Sequence, residues 1–197
     1  MKVLYINNYK DGTGWSSAGI NNILALDSAG VRVVPRAITF VEQHHEYPEK
    51  IKELHSASTH GCTICIQHTL PHLYSYDHRY KNIGYLDVES NHFRDTGWQY
   101  YVNLMDELWV PTMSAKNACI ESGVKKPIKI APHSLDISQY KENEGNKIEE
   151  LRSTFNFAFV GEFIERKNIK ALLQAFHIEF ALHEPVNLFI KTSRASL

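Results

Sequence analysis

Residues 108–131 read LWVPTMSAKNACIESGVKKPIKIA and contain two short apolar runs on either side of a helical stretch. The runs at 108–110 and 128–131 have the composition of strands, and residues 114–121 predict a helix that Gly123 ends. A strand, a helix and a strand at this spacing indicate a βαβ unit, in which the two strands are parallel. The same alternation extends along the chain on both sides of this segment.

The N-terminal half repeats the alternation of strands and helices. Residues 3–6 predict a strand, and a glycine-bearing loop leads from it into a helix that Ser16 or Ser17 caps and that ends at Gly30. The other predicted elements are strands at 31–35, 37–40, 63–67 and 83–86 and helices near 48–54 and 98–105. We therefore predict an α/β fold, a Rossmann-like parallel sheet flanked by helices.

The 197 residues allow one domain and part of another. Residues 141–147 carry charges and glycine but no apolar side chain, and a strand, a helix and a strand follow them. We predict a Rossmann-like domain over 1–137, a linker over 138–155 and a partial second βαβ unit over 156–197. Because about 40 residues are too few to bury their own apolar faces, we expect residues 156–197 to self-associate or pack on another chain, to pack on the first domain, or to be distorted.

The composition argues against several partners. Lys and Arg total 21 against 22 Asp and Glu, which gives a net charge of -1, so no global field favours nucleic acid. No run approaches about 18 apolar residues, so we expect no transmembrane segment, although docking on a membrane surface stays open. Three cysteines and the lack of a leader-like start predict a cytoplasmic location.

The loop over residues 12–19 connects a predicted strand to a predicted helix. Backbone N–H groups and the positive end of the helix make this position suitable for an anion. The glycine spacing differs from the dinucleotide fingerprint, and the sequence contains no Gly-Lys-Ser or Gly-Lys-Thr, so neither nicotinamide binding nor a P-loop is supported. A turn that needs positive φ and a phosphate-facing loop both remain open.

A basic pair, Arg166 and Lys167, stands at the start of the last predicted helix. Cations at a helix N-terminus oppose the helix dipole, so their placement favours an anionic ligand between them and the helix end. A solvated pair neutralised by Glu162 and Glu165 is the alternative.

Polar residues also follow two predicted strands of the first domain. Asp87 and Glu89 come after the strand at 83–86, and His133 comes after the strand at 128–131. Each residue alone suits a capping or surface role. The carboxyl ends of parallel strands meet at one edge, where open α/β sheets bind ligands, and this convergence favours a functional site.

An array of His60, Cys62, Cys65 and His68 suggests a zinc site by its spacing. The array lies in or beside a predicted strand, where residues three apart point to opposite faces. We therefore favour buried thiols in a sheet and predict no metal site.

Five segments in order carry a resemblance to a known family. They are Gly14 and Gly19 in the first loop, Ile83-Gly84-Tyr85 followed by Glu89-Ser90, DELWVPT at 106–112, IAPHSLD at 130–136, and FVGEFIERKNI at 159–169. With them, the chain resembles the retaining glycosyltransferases of GT-B fold, in family 4 of the nucleotide-sugar-dependent enzymes. The resemblance spans essentially the whole chain.

The resemblance implies a hexosyltransferase-type enzyme that moves a sugar from a nucleotide-sugar to an unknown acceptor, a glycan, a lipid-linked molecule or another, with retention of configuration. Residues 1–137 are then the acceptor-side domain, and residues 156–197 begin the donor domain. No metal or other cofactor is implied, because basic side chains and a helix dipole stabilise the leaving diphosphate. The implied site residues are Glu89 for catalysis, Gly14, Gly19, Arg166 and Lys167 for the donor diphosphate, and Ser16, Ser17 and His133 for acceptor or sugar contacts.

The sequence departs from the family at two points. The family's later donor-sugar motif has no counterpart here, and Glu162 stands where relatives commonly carry arginine, so we expect these 197 residues alone to be weakly active or inactive.

Two other interpretations stay open. The chain is a truncated, non-catalytic module that binds a glycan or a partner chain, or it is a dinucleotide-dependent oxidoreductase. The oxidoreductase interpretation rests only on the α/β pattern, and the glycine spacing argues against it.

Overall fold

A computed structural model describes residues 1–40, 45–139 and 153–192. The chain divides into two compact units, Met1–Gln139 and Tyr140–Leu197. The charged segment at 141–147 that we interpret as part of a linker lies outside the described residues.

The first unit is built on a six-stranded sheet with the order β2-β1-β3-β4-β5-β6. Every neighbouring pair is parallel, as the alternation of strands and helices predicts. The strands are β1 Lys2–Asn7, β2 Arg32–Ala37, β3 Ile64–His68, β4 Lys81–Tyr85, β5 Glu107–Val110 and β6 Ile128–Ile130. The α/β class and the Rossmann-like parallel sheet are confirmed.

Helices cover both faces of this sheet. They are α1 Gly14–Ser28, α2 Glu49–Ser56, α3 Trp98–Val102 and α4 Met113–Glu121. Ile23 of α1 and Ile51 of α2 pack with Val3 and Tyr5 of β1 on one face. On the other face, side chains of α3 and α4 pack with Leu108 and Val110 of β5. Across the described ranges, no helix combines the length and hydrophobicity that crossing a bilayer requires.

The expected second strand at 37–40 does not form, because the chain leaves the sheet after Ala37. The backbone N–H of Ile38 still donates to Asn7 O at 3.1 Å, which ends the pairing with β1. The N–H of Phe40 instead donates to the carboxylate of Asp11 at 3.0 Å. The Asp11 carboxylate, in the loop after β1, therefore accepts the hydrogen bond that Phe40 N–H would donate to a neighbouring strand if 37–40 formed a strand.

The second unit contains β7 Phe155–Val160, α5 Ile169–Glu179 and β8 Val186–Lys191, and its two strands are parallel. The predicted βαβ unit is thus observed. The rings of Phe157 and Phe180 lie 5.5 Å apart and those of Phe176 and Phe180 lie 5.0 Å apart, so aromatic contacts join the helix to the sheet. Self-association through residues 156–197 stays a prediction.

Candidate functional site

The order of the strands places a topological switch point between β1 and β3. From β1 the chain crosses to β2 on one side of it, and then returns to β3 on the other side. The last residues of the two strands meet there, since Asn7 Nδ2 donates to His68 O at 3.0 Å. Ligands of open α/β sheets bind at the carboxyl edge beside such a point.

A cleft of about 330 Å³ opens at this carboxyl edge. The residues that line it come from the start of α1 and from the loops after β4, β5 and β6. They are Gly14, Trp15, Ala18, Asp87, Val88, Glu89, Pro111, Thr112 and His133. The structure thus brings together Gly14, Glu89 and His133 of the predicted site, and Asp87 with them.

The positive end of α1 lies at the cleft, and a capping box fixes it there. Thr13 is the N-cap: its Oγ1 accepts from Ser16 N at 3.2 Å, and Ser16 Oγ accepts from Thr13 N at 3.1 Å. The expectation that Ser16 or Ser17 caps the helix is wrong, because both lie inside it. Ser16 is buried and its hydroxyl donates to Asn8 O at 2.8 Å, whereas Ser17 is exposed.

Thr13→Ala is expected to destabilise the chain by about 1 kcal/mol, because the box loses the oxygen that accepts from Ser16 N. Urea unfolding followed by circular dichroism measures this loss. Thr112→Ala is the matched variant, since Thr112 Oγ1 accepts from Ala115 N at the start of α4 at 3.1 Å and should show a similar loss. Unchanged stability in Thr13→Ala would contradict the capping role.

Gly19 lies in α1 against the end of β1 and is not among the residues that line the cleft. A Cβ at this position would come within 1.9 Å of Asn7 Oδ1. The structural role of Gly19 is therefore the close approach of the helix to the strand. Its contact with a donor or an acceptor stays a prediction.

A carboxylate held between two imidazoles forms the polar wall of the site. Asp87 Oδ2 lies 3.3 Å from His68 Nε2, and Asp87 Oδ1 lies 2.9 Å from His133 Nε2. Tyr5 OH lies 2.9 Å from the other ring nitrogen of His68, and Tyr85 OH lies 3.3 Å from that of His133. The three groups come from the carboxyl ends of β3, β4 and β6.

The ring nitrogens of His133 contact Tyr85 and Asp87. Tyr85 OH donates to Ala131 O at 2.5 Å and lies 3.3 Å from His133 Nδ1. His133 Nε2 donates to the Asp87 carboxylate, and this bond raises the pKa of His133. Burial alone would raise the pKa of Asp87, but hydrogen bonds from His133 and His68 outweigh it and hold that pKa well below its usual range.

Glu89 and Asp87 line the same cleft in different surroundings. The side chain of Asp87 is 16% exposed and is held by the two histidines. Glu89 is an exposed residue that lines the cleft. Glu89 is therefore the more accessible of the two carboxylates, whereas Asp87 contacts the imidazoles.

His68 is not among the predicted residues of this site, because its spacing along the chain suggested a group with His60, Cys62 and Cys65. In the described parts of the chain, the group that could hold a metal ion is His68 with Asp87 and His133, and it includes neither cysteine. Cys62 and Cys65 are free and buried, in agreement with the interpretation as thiols in a sheet. The available signal was that His68 ends β3 at the same edge as Asp87.

The predicted basic pair lies in the second unit. Arg166 and Lys167 are exposed in the single turn Glu165–Lys167 that precedes α5. Asn168 follows in the left-handed region, with φ 49°, and joins this turn to the helix. The pair stands before a helix as expected, and its contact with a diphosphate stays a prediction.

The cleft combines features that suit a ligand with both anionic and hydroxyl groups. The N-terminus of α1 favours negative charge, and Glu89 can accept from hydroxyls. No protein-family model and no curated protein matches the chain.

Proposed function

We propose that this chain belongs to a GT-B glycosyltransferase that moves a sugar from a nucleotide-sugar to an acceptor with retention of configuration. The observation that carries the proposal is the cleft at the carboxyl edge of the sheet, which is lined by both the start of α1 and Glu89. The ordered segments that resemble family 4 give the reaction class. The unit Met1–Gln139 is then the acceptor side.

In this proposal, catalysis depends mainly on electrostatic stabilisation of negative charge. The start of α1, with Gly14 and Trp15 at the cleft, stabilises negative charge on the donor diphosphate or on an anionic acceptor. Glu89 lies near the transferred sugar and accepts from its hydroxyls. His133 and Ser17 contact sugar or acceptor, and Arg166 and Lys167 are assigned to the diphosphate from the resemblance alone.

The proposed transfer needs no metal ion or other cofactor. A cytoplasmic location, with or without docking on a membrane surface, belongs to the same proposal, because three buried free cysteines suit a reducing compartment.

Trp15 lines the cleft and gives a direct signal for binding. Titration of the chain with UDP-glucose, UDP-N-acetylglucosamine and GDP-mannose is expected to change the tryptophan emission for at least one of them. Trp15→Phe should remove this change, because its indole is the fluorophore at the cleft. Trp98→Phe should keep the change in emission, since Trp98 packs on Phe93 and does not line the cleft.

Two outcomes would contradict the proposal: no response to any nucleotide-sugar, or a full response in Trp15→Phe. Incubation of the binding nucleotide-sugar with candidate glycan acceptors then tests transfer. Retention of configuration in a product, measured by proton NMR, supports the enzyme. Binding with no product from any acceptor fits both an enzyme that these residues alone leave weakly active or inactive and the non-catalytic binding module.

A further inference from the structure

His68, Asp87 and His133 are arranged as ligands around a common point. One ligand atom of each residue lies within 4.8 Å of those of the other two. Ligands about 2.1 Å from a zinc ion lie about 3.4 Å apart in a tetrahedron, so side-chain shifts of about 1 Å bring the three into coordination distance. We propose that these residues form a binding site for one divalent transition-metal ion.

The partners of the two histidines support this proposal. Histidines that bind a metal through one ring nitrogen are generally oriented by a hydrogen bond at the other. Here Tyr5 OH lies 2.9 Å from His68 Nδ1, and Tyr85 OH lies 3.3 Å from His133 Nδ1. Both phenols therefore turn the Nε2 atoms of their histidines toward Asp87.

The fold fixes these phenols before any ion arrives. Tyr5 accepts from Asn22 Nδ2 at 3.2 Å, and Tyr85 donates to Ala131 O. The rings of His68 and Tyr85 are stacked with centroids 4.4 Å apart, which holds the plane of the buried imidazole. Preorganised imidazoles lose little rotational freedom on binding an ion.

The ligand set selects the class of metal. Two imidazole nitrogens and one carboxylate suit Zn²⁺, Co²⁺, Fe²⁺ or Mn²⁺, whereas Mg²⁺ and Ca²⁺ prefer all-oxygen ligands. The side chain of His68 is 2% exposed and that of His133 is 34% exposed, so the group is closed on one side. Asp87 and His133 line the cleft, so the remaining coordination positions of the ion face it.

This site goes beyond the proposed function, which needs no metal. It rests on geometry within Met1–Gln139 and not on the resemblance to glycosyltransferases. An experiment that contradicts one of the two proposals, sugar transfer or metal binding, therefore does not contradict the other.

The test is titration of the chelator-treated chain with Co²⁺, followed by visible absorption, and with Zn²⁺, followed by calorimetry. We expect one ion per chain with a dissociation constant in the micromolar range or lower. His133→Ala and Asp87→Asn should each weaken binding by about 100-fold or more, since each removes a ligand. Both residues line the cleft, and circular dichroism checks that each variant is folded.

His92→Ala is the matched control, because His92 is exposed and does not line the cleft. It should bind Co²⁺ and Zn²⁺ as the unmodified chain does. Absence of a one-to-one complex at 0.1 mM metal, about 100-fold above the expected range, would overturn the proposal. Unchanged affinity in either ligand variant, or an equal loss in His92→Ala, would also overturn it.

Discussion

Gly19→Ala is expected to lower the free energy of unfolding by about 2 to 4 kcal/mol, although alanine favours a helix by about 1 kcal/mol over glycine. The new Cβ would stand 1.9 Å from Asn7 Oδ1, and Asn7 is fully buried. Moving the Asn7 side chain would break its bond to His68 O and leave a buried amide without a partner. Urea unfolding followed by circular dichroism measures the loss.

Gly14→Ala is the matched control, because a Cβ at this position meets nothing within 4 Å. Gly14 also lies in α1, and it has no positive φ that would make alanine strained. We expect its stability to change by less than about 0.5 kcal/mol. Equal stability of the two variants would contradict the close approach of α1 to β1.

Glu107→Gln is expected to cost about 2 kcal/mol at neutral pH, because Glu107 is a buried carboxylate with three cationic or N–H partners. Its side chain is 7% exposed and lies 2.6 Å from Trp109 Nε1, 2.9 Å from Lys81 Nζ and 3.1 Å from Lys129 Nζ. Burial alone would raise the pKa of Glu107, but these partners outweigh it and lower the pKa from 4.5 to about 2.

The pH dependence of this effect follows from the lowered pKa. Since the folded state binds the Glu107 proton less tightly than the unfolded state, the carboxylate stabilises the fold above pH 4.5. This contribution is lost as the pH falls from 4.5 toward about 2. The stability difference between the unmodified chain and Glu107→Gln should therefore shrink over that range.

Glu121→Gln is the control for this prediction. Glu121 pairs with Arg94 at 2.8 Å, but both side chains are more than half exposed, so we expect a change of about 0.5 kcal/mol or less. Thermal unfolding of the three proteins between pH 7 and pH 3 measures the effect. A constant difference between the unmodified chain and Glu107→Gln across this range would contradict the prediction.

The order of strands and helices was predictable because local patterns determine it. Apolar runs such as 108–110 and 128–131, each followed by polar residues, identify strands whose carboxyl ends meet at one edge. The same rule predicted that Asp87 and His133 lie at one edge of the sheet, without any knowledge of side-chain contacts. The prediction that helices end at Gly30 and Gly123 is also confirmed, since both glycines follow a helix and have positive φ.

The remaining features depend on contacts between residues distant in the sequence. The end of β2 at Ala37 depends on the Asp11 carboxylate, which takes the N–H of Phe40. The role of His68 depends on Tyr5, 63 residues away, and on Asp87, 19 residues away. Hydrophobic periodicity carries no information on such pairings, so spacing along the chain grouped His68 with the nearby cysteines instead.

Binding of a nucleotide-sugar at the carboxyl-edge cleft is the central claim, and calorimetry with a variant that fills the cleft tests it most directly. Ala18→Phe places a large ring among the lining residues, whereas Ser28→Phe places the same ring at the exposed far end of α1. We predict that the unmodified chain and Ser28→Phe bind the same nucleotide-sugar with equal affinity and that Ala18→Phe binds it at least about 10-fold more weakly, a loss of about 1.4 kcal/mol. Equal affinity in all three proteins, or no binding by the unmodified chain, would contradict the account.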